Sequence, residues 1–362
     1  MAEEKTIFKT EERTVQKAEN ILADEQFQDN PLRDDFASLL KSYKKMHRRI
    51  QRLVKIGDSQ QLNILEKALK RQTDLTNAYS RFVPPEYLRF LQKPEITTVQ
   101  LGDHVSKEMA VFFSDIRSFT TLSESMTPRE SFNFVNAYLK RVSPIVRAND
   151  GIIIKYLGDG MMAAFPEQVD DAVTAGIATL RKVHEYNVER LQENYAPIAL
   201  GIGIHVGRIM VGIVGEKNRM EADALSDHVN LTSRLEGLTK YYGVCLLISG
   251  EAYGKIDQSR YHIRFLDNVA VKGKSQPIAI YEVFDADPEE LRNRKLQTLS
   301  DFEKAQQLYF ERKFADAAKG FINVLNILPD DATTKLYLER SAKFMVEGVP
   351  DDWDGVRTMD QK

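Results

Sequence analysis

The chain has 362 residues, with 50 Lys and Arg against 53 Asp and Glu and a hydrophobic fraction of 43%. This length leaves room for roughly two or three folded units, and the composition excludes disordered and fibrous proteins. The net charge of −3 gives no indication of a nucleic-acid partner. The single cysteine, Cys245, excludes an intramolecular disulfide and a Cys-rich zinc module, which favours a reducing compartment.

Residues 1–30 carry eight acids and four bases and show no sustained hydrophobic periodicity. Such a stretch is typical of a flexible or partner-dependent leader. It lacks the apolar centre of a signal peptide, and no run of about 18 apolar residues occurs along the chain. We therefore expect a cytoplasmic protein without a membrane span.

Residues 31–80 show the spacing of a coiled coil, in which apolar residues alternate steps of four and three. Two series follow this rule in different heptad phases: Leu39, Tyr43, Met46, Ile50 and Leu53, and then Leu62, Leu65 and Leu69. Gly57-Asp58 lies between them, so the seam shifts either at a stutter in one long helix or at a bend between two helices. We expect a two-stranded signalling coil that sets the relative orientation of two copies of the chain.

Residues 41–55 within this coil contain seven Lys and Arg and no acid. The favoured interpretation is the solvated flank of a dimeric coil. The alternatives are peripheral association with an anionic membrane surface and an acidic protein partner.

Residues 81–106 read as a linker, after which apolar strands alternate with amphipathic helices over residues 107–285. The predicted strands are 109–115, 151–157, 161–165, 198–207, 209–215, 244–249 and 277–284, and the predicted helices are 129–149, 170–192 and 226–241. This order indicates an α/β or α+β domain of catalytic size.

Residues 295–350 are again helical in pattern. Ala317, Phe321 and Pro329 have the spacing of one tetratricopeptide-like unit. A single unit of this kind does not bury its own face, so the tail is expected to pack on the core, on a neighbouring chain or on a protein partner.

Two aspartates mark a candidate metal site. Asp115 ends an apolar strand, and Asp159 lies in KYLGDGMM, which reads as a strand, a tight turn and a second strand. Two carboxylates at adjacent strand ends, together with the backbone carbonyl of Ile116, form an oxygen-rich site suited to Mg²⁺ or Mn²⁺. Either aspartate alone is equally consistent with a turn or cap residue.

Five segments occur in an order and spacing that resemble the catalytic domain of class III nucleotide cyclases. They are FFSDIRSFTTLSE, IIIKYLGDGMMAAF, GIGIHVGRIMVGIVG, DALSDHVNLTSRLEGL and VAVKGKSQPIAIYEV. The resemblance implies an α+β fold with a ferredoxin-like βαββαβ core. It also implies a head-to-tail homodimer whose active sites are built from both subunits.

The resemblance assigns roles to individual residues. Asp115, Asp159 and the carbonyl of Ile116 match the ligands of two Mg²⁺ or Mn²⁺ ions per active site. Lys155 and Asp223 match the positions that read the purine. An ammonium and a carboxylate suit adenine, which accepts at N1 and donates from its amino group, whereas guanine reverses this pattern.

The remaining matched positions concern the ribose and the phosphates. Asn230 matches the residue that orients the ribose, and Arg234 the residue that stabilises charge on the α-phosphate; four residues apart on a helix, they lie on one face. Lys272 matches the lysine that holds the terminal phosphates, with Lys274 as a second candidate. The chain departs from many relatives at Ser226, where they have glycine.

The resemblance therefore implies an adenylate cyclase that converts ATP to 3′,5′-cyclic AMP and pyrophosphate. Two alternatives remain open at this point: a guanylate cyclase, and a catalytically silent module that dimerises and recruits partners. Guanylate cyclases of the family typically carry Glu at the position of Lys155. Silent relatives usually lack a metal-binding Asp or the Arg, whereas this chain has both aspartates and Arg234.

Overall fold

The computed structural model describes residues 7–83, 85–271 and 277–359. The chain divides into two compact units, Met1–Pro84 and Pro85–Lys362. The division falls where the sequence pattern changes from a coil to alternating strands and helices.

Helices α1 (Lys9–Ala23) and α2 (Arg33–Tyr79) make up the first unit. α1 packs against the first half of α2, where the ammonium of Lys44 pairs with Glu19. The region expected to be a flexible leader is thus helical over residues 9–23. Packing against α2 supplies the stability that its weak hydrophobic pattern does not show.

Helix α2 runs through Gly57-Asp58 without interruption, so the change of heptad phase occurs inside one long helix and not at a bend. Most of its apolar residues face solvent in the single chain, whereas Leu40 is buried. The exposed residues of the two heptad series are Leu39, Met46, Ile50, Leu53, Leu62, Leu65 and Leu69. None of the helices in the described ranges is long and apolar enough to cross a bilayer.

A mixed nine-stranded sheet organises the described part of the second unit. Its strands are β1 (His104–Ile116), β2 (Ile152–Leu157), β3 (Gly160–Phe165), β4 (Leu200–Glu216), β5 (Arg219–Leu225), β6 (Leu246–Ser249), β7 (Ile263–Val271), β8 (Ile278–Val283) and β9 (Arg357–Met359). The spatial order is β2-β3-β1-β4-β6-β8-β7-β9, with β5 paired to β4. β4–β6 and β7–β9 are parallel pairs, and the other pairs are antiparallel.

Nine helices accompany these strands in the described residues. They are α3 (Pro85–Phe90), α4 (Phe119–Glu124), α5 (Pro128–Ala148), α6 (Val169–Gln192), α7 (Asp227–Tyr242), α8 (Gly250–Tyr253), α9 (Glu289–Phe310), α10 (Phe314–Ile327) and α11 (Ala332–Glu347). The succession β1-α5-β2-β3-α6-β4, with its strands in the order β2-β3-β1-β4, is the ferredoxin-like βαββαβ core that the resemblance implies. The α+β fold class is confirmed.

The structure differs from the strand predictions in two respects. The separate strands predicted at 198–207 and 209–215 are one strand, β4, because Arg208 stays in register opposite Glu108 of β1. β5, β7 and β9 were not predicted from the sequence. Charged residues interrupt the apolar pattern of β5 and β7, and β9 has only three residues.

Two glycines of β4 allow α7 to lie directly on the sheet. A Cβ atom on Gly203 would come within 2.4 Å of the backbone nitrogen of Glu236, and one on Gly207 within 2.3 Å of the His228 ring. Glycine at these two positions of β4 therefore allows close helix–strand packing. α7 is thereby fixed close to the backbone of the strand.

The tail helices α9, α10 and α11 bury a shared aromatic cluster that includes Phe302, Tyr309, Phe321 and Tyr337. They also pack on the sheet, since the Tyr337 hydroxyl donates to the carbonyl of Leu266 in β7 at 2.7 Å. Of the three surroundings expected for the tail, the structure shows packing on the catalytic core.

Candidate active site

The two metal-site aspartates lie side by side. Asp115 is the penultimate residue of β1, and Asp159 occupies the turn between β2 and β3, where β3 pairs with β1. The backbone N–H of Ile116 donates to Oδ2 of Asp159 at 3.2 Å. A Cβ atom on Gly160 would lie 3.0 Å from Oδ1 of Asp115, so glycine leaves that carboxylate its space.

Burial and mutual repulsion disfavour charge on this pair. Burial, followed by the neighbouring Asp159, raises the pKa of Asp115 to about 7. Burial also raises the pKa of Asp159. A third acid, Glu236 of α7, has its pKa raised to about 7 by burial, against the lowering effect of Arg117. Three carboxyl groups that lie close together repel one another when ionised, and a bound divalent cation would reduce this repulsion.

The donor set fits magnesium or manganese better than a softer metal. In the described ranges no group of three or more His, Cys, Asp and Glu side chains is placed to hold a metal ion. The ligands predicted from the sequence are the carboxylates of Asp115 and Asp159 and the backbone carbonyl of Ile116, all of which are oxygen donors. Oxygen donors with open positions for water and phosphate are the ligands that Mg²⁺ accepts.

Lys155 and Asp223 form an ion pair across two strands that are distant in sequence. Nζ of Lys155 in β2 donates to Oδ2 of Asp223 in β5 at 2.7 Å, with both side chains partly exposed. Oδ1 of Asp223 accepts from the backbone N–H of Ala224 at 2.8 Å. The pair offers one cationic donor and one anionic acceptor that a ligand can reach.

Tyr87 in α3 supports the strand beneath this pair and was missed by the sequence analysis. Its hydroxyl donates to the carbonyl of Gly212 at 2.7 Å, and Gly212 is the residue opposite Asp223 in the β4–β5 pair. Burial, followed by Asp223, raises the pKa of Tyr87 above its usual range. No sequence motif marks a buried tyrosine in a linker, so its role is recognised only from its position in the fold.

Asn230 and Arg234 both lie on the exposed face of α7, whereas Leu231 and Leu235 are buried beneath them. Ser226 is the N-cap of this helix, and its Oγ accepts from the N–H of His228 at 3.1 Å. The departure from glycine at this position thus supplies a helix cap.

His205 is a buried histidine held by hydrogen bonds. Its ring nitrogens lie 2.8 Å from Oγ of Ser249 and 2.8 Å from Nδ1 of His228. Lys272 and Lys274, the candidates for the terminal phosphates, lie outside the described residues.

A model of the family described as the adenylate and guanylate cyclase catalytic domain matches residues 103–284. The chain belongs to this family. The cyclase match begins one residue before β1 and ends one residue after β8, so it includes the site residues predicted from the sequence but not Tyr87.

Two curated adenylate cyclases are similar to this chain. The terminal-differentiation-specific adenylate cyclase of Dictyostelium discoideum is 37% identical over 292 residues, which are 78% of this chain and 14% of that protein. The adenylate cyclase of Anabaena cylindrica is 35% identical over 229 residues, which are 61% of this chain and 45% of that protein. The chain thus spans less than half the length of these cyclases.

Among solved structures, a bacterial light-regulated adenylyl cyclase superposes with a TM-score of 0.54 at 25% identity. The superposition covers 63% of this chain and 65% of that chain. It supports a class III cyclase fold.

Proposed function

We propose that the chain is an adenylate cyclase, which converts ATP to 3′,5′-cyclic AMP and pyrophosphate at the interface of a homodimer. The observation that carries the choice of ATP is the Lys155–Asp223 ion pair at 2.7 Å. Membership of the cyclase family supports the reaction type.

The ion pair suits adenine because of its hydrogen-bonding pattern. The Lys155 ammonium can donate to adenine N1, and the Asp223 carboxylate can accept from the 6-amino group. Guanine would present N1–H to the ammonium and O6 to the carboxylate, which leaves two mispaired groups. Mispairing of this kind strongly disfavours the wrong base.

Asp115, Asp159 and the carbonyl of Ile116 would hold two Mg²⁺ or Mn²⁺ ions per active site. When bound, these ions lower the pKa of the ribose 3′-hydroxyl and neutralise charge on the triphosphate. The raised pKa of Asp115 supports this assignment. Without a metal ion, burial and repulsion disfavour ionisation of the carboxyl pair, and a bound cation would stabilise the ionised form.

The cationic and polar side chains act on the rest of the nucleotide. Asn230 orients the ribose so that its 3′-oxygen faces the α-phosphorus, and Arg234 stabilises the charge that develops on the α-phosphate oxygens. Lys272 holds the terminal phosphates. As the new 3′-oxygen–phosphorus bond forms, the bond to the β-phosphate oxygen breaks, pyrophosphate leaves in line and the hydroxyl proton is released.

Exposed apolar residues support a site completed by a second copy. Tyr156 and Leu157 are exposed next to Asp159, and the cross-strand neighbours Met210 and Leu225 are exposed next to Asp223. Apolar surface that flanks polar groups in this way is typical of an interface. Head-to-tail pairing would place the metal-binding residues of one copy opposite the purine- and phosphate-binding residues of the other.

We further propose a division into coil (31–80), linker (81–106), catalytic domain (107–285) and tail (295–350). The exposed apolar series of α2 supports the coil as a dimerising element. An ATP substrate and a single cysteine support a reducing compartment such as the cytoplasm.

The experiment measures cyclic nucleotide formation by the purified chain with Mg²⁺ or Mn²⁺ and with ATP or GTP in parallel. We expect cyclic AMP from ATP to exceed cyclic GMP from GTP, and Asp115→Ala to lower the rate by about a hundredfold or more. Asp330→Ala, at an exposed carboxylate in the tail, is the matched control and should keep wild-type activity. Faster turnover of GTP would establish the guanylate cyclase alternative, and no product from either nucleotide would leave the silent-module alternative.

A further inference from the structure

The carboxyl-terminal end of α7 is enclosed by side chains from the tail and from β7. The hydroxyl of Tyr242, in the last turn of the helix, donates to Oδ2 of Asp267 in β7 at 2.8 Å. Nη1 of Arg340 in α11 donates to the same oxygen at 2.6 Å. Tyr242 and Asp267 are fully buried, and the Arg340 side chain is 11% exposed.

Further contacts with α11 fix the backbone at this point. Thr333 Oγ1 donates to the carbonyl of Tyr242 at 2.9 Å, which satisfies one of the free carbonyls at the helix end. Gly243 ends the helix with φ +68°, and a Cβ atom there would lie 2.5 Å from Cβ of Ala332. These contacts restrain rotation and axial displacement of the end of α7 while α11 is in place.

The Asp267 carboxylate at this end depends on its neighbours to compensate its buried charge. Asp267 is buried, and its Oδ2 accepts from Arg340 and from Tyr242. Burial, followed by Asp267, raises the pKa of Tyr242 above its usual range, so the hydroxyl remains a donor. Removal of the guanidinium would leave a buried carboxylate without its cation, which is among the most unfavourable changes in a protein interior.

We propose that Arg340 is a positioning residue for catalysis, which acts through Asp267 and Tyr242 to hold α7, and thereby Asn230 and Arg234, in register with the nucleotide. The tail is on this view part of the active-site support and not only an attachment to the domain. The proposal rests on the proposed function, because it takes the roles of Asn230 and Arg234 from it.

The distance over which the effect must act is short. Arg234 precedes Tyr242 by eight residues, or about 12 Å of helix at ~1.5 Å per residue. A helix transmits an axial shift along its length because its hydrogen bonds keep it rigid. A displacement of about 1 Å at a group that stabilises a transition state costs up to about a hundredfold in rate.

The test compares Arg340→Met with Arg312→Met in the full chain. Arg312 is an exposed tail arginine whose guanidinium bonds the carbonyls of Asp351 and Trp353, so it ties the tail to itself and not to α7. We expect Arg340→Met to lower kcat about tenfold, per folded molecule, with KM for ATP changed by less than about twofold. Arg312→Met should leave both constants unchanged, and Arg340→Lys should recover part of the loss.

Two further measurements separate positioning from a general loss of stability. In an Arg234→Ala background, Arg340→Met should lower kcat by less than it does in wild type, since one of the two groups that it positions is absent. Amide hydrogen exchange of residues 227–235 should be faster in Arg340→Met than in wild type. Unchanged kcat per folded molecule, or a full additional loss in the Arg234→Ala background, would overturn the proposal.

A milder variant covers the case in which Arg340→Met does not fold. Tyr242→Phe removes only the hydroxyl and should lower kcat about threefold with the same exchange signature. Wild-type kcat and exchange in Tyr242→Phe would then overturn the proposal. A wild-type chain without cyclase activity refutes the proposed function instead, whereas the exchange of α7 still shows whether Arg340 holds the helix.

Discussion

Nζ of Lys155 lies 2.7 Å from Oδ2 of Asp223, although 68 residues separate the two in sequence. Both groups are partly exposed, so they can exchange their mutual contact for contacts with a ligand. Because the ammonium and the carboxylate are adjacent before any ligand binds, a base that contacts both would require little reorganisation of the site.

The pair predicts the nucleotide preference. Lys155→Glu combined with Asp223→Cys should shift the ratio of kcat/KM for ATP and GTP toward GTP by about tenfold or more, because the ammonium proposed to donate to adenine N1 is lost. The measurement is steady-state kinetics with both nucleotides. Lys335→Glu, at an exposed lysine of α11, is the control for the change of charge.

An unchanged ATP preference in the double variant would contradict the assignment of these residues to the purine. A loss of both activities with no change in their ratio would show that the pair supports the fold around β2 and β5 and does not read the base.

The raised pKa of Asp115 predicts how stability depends on pH in metal-free protein. The folded state holds a proton up to about pH 7, whereas the unfolded carboxyl releases it near pH 3.8. Between these values the folded state binds more protons, so this group makes the protein less stable as the pH rises. Asp115→Asn should therefore flatten the fall of Tm between about pH 4 and pH 7.

Metal binding should reverse this trend. Mg²⁺ or Mn²⁺ requires the ionised carboxylates, so its effect on Tm should grow as the pH rises through about 7 and should disappear with a chelator. Asp115→Asn should show little metal-dependent stabilisation, whereas Asp301→Asn, at an exposed carboxylate, should respond as wild type does. An equal metal response in Asp115→Asn would place the ions elsewhere.

A buried ion network joins the sheet and the tail, and its disruption should cause a large loss of stability. Arg264 of β7 bonds Glu282 of β8 and Asp331 before α11, and all three side chains are at most 5% exposed. Arg264→Met leaves the buried Asp331 without its cation and leaves Glu282 with Lys295 as its remaining cationic partner. It should lower the free energy of unfolding by about 3–5 kcal/mol. The exposed Arg294, paired with Glu290, gives a matched Arg294→Met variant whose cost should be about 0–1 kcal/mol.

Denaturant unfolding monitored by tryptophan fluorescence measures both changes, since Trp353 packs against Tyr309 in the tail. Equal stability of the two variants would show that the Arg264 network contributes little to holding the tail on the sheet.

The exposed series on α2 predicts that the coil contributes to dimerisation. Leu53→Glu with Leu65→Glu replaces two exposed leucines and should leave the monomer folded. A charged residue in a coiled-coil seam opposes pairing, so the dimer should weaken about tenfold or more. Sedimentation or light scattering as a function of protein concentration measures the dimer affinity. The variant with Gln60→Glu and Gln61→Glu is the control. An unchanged dimer affinity would show that the coil does not contribute to the interface.

The sequence by itself determined the features that depend on local pattern. Apolar runs located β1, β2, β3, β6 and β8, amphipathic periodicity located α5, α6 and α7, and the LGDG turn located Asp159. These elements are specified within about 20 residues, where side-chain alternation and turn chemistry decide the backbone. Motif order then indicated the family and predicted that Asp115 and Asp159 bind the metal ions.

Tertiary structure decided what depends on pairing between distant segments. It brought Lys155 to Asp223, joined two predicted strands into β4, and recruited the polar strands β5 and β7, which have no clear alternation of their own. It also showed that the tail packs on the sheet and encloses the end of α7, where Arg340 of the tail bonds Asp267 of β7. Such contacts gain their stability from burial and hydrogen bonds across the fold, and no local pattern carries that information.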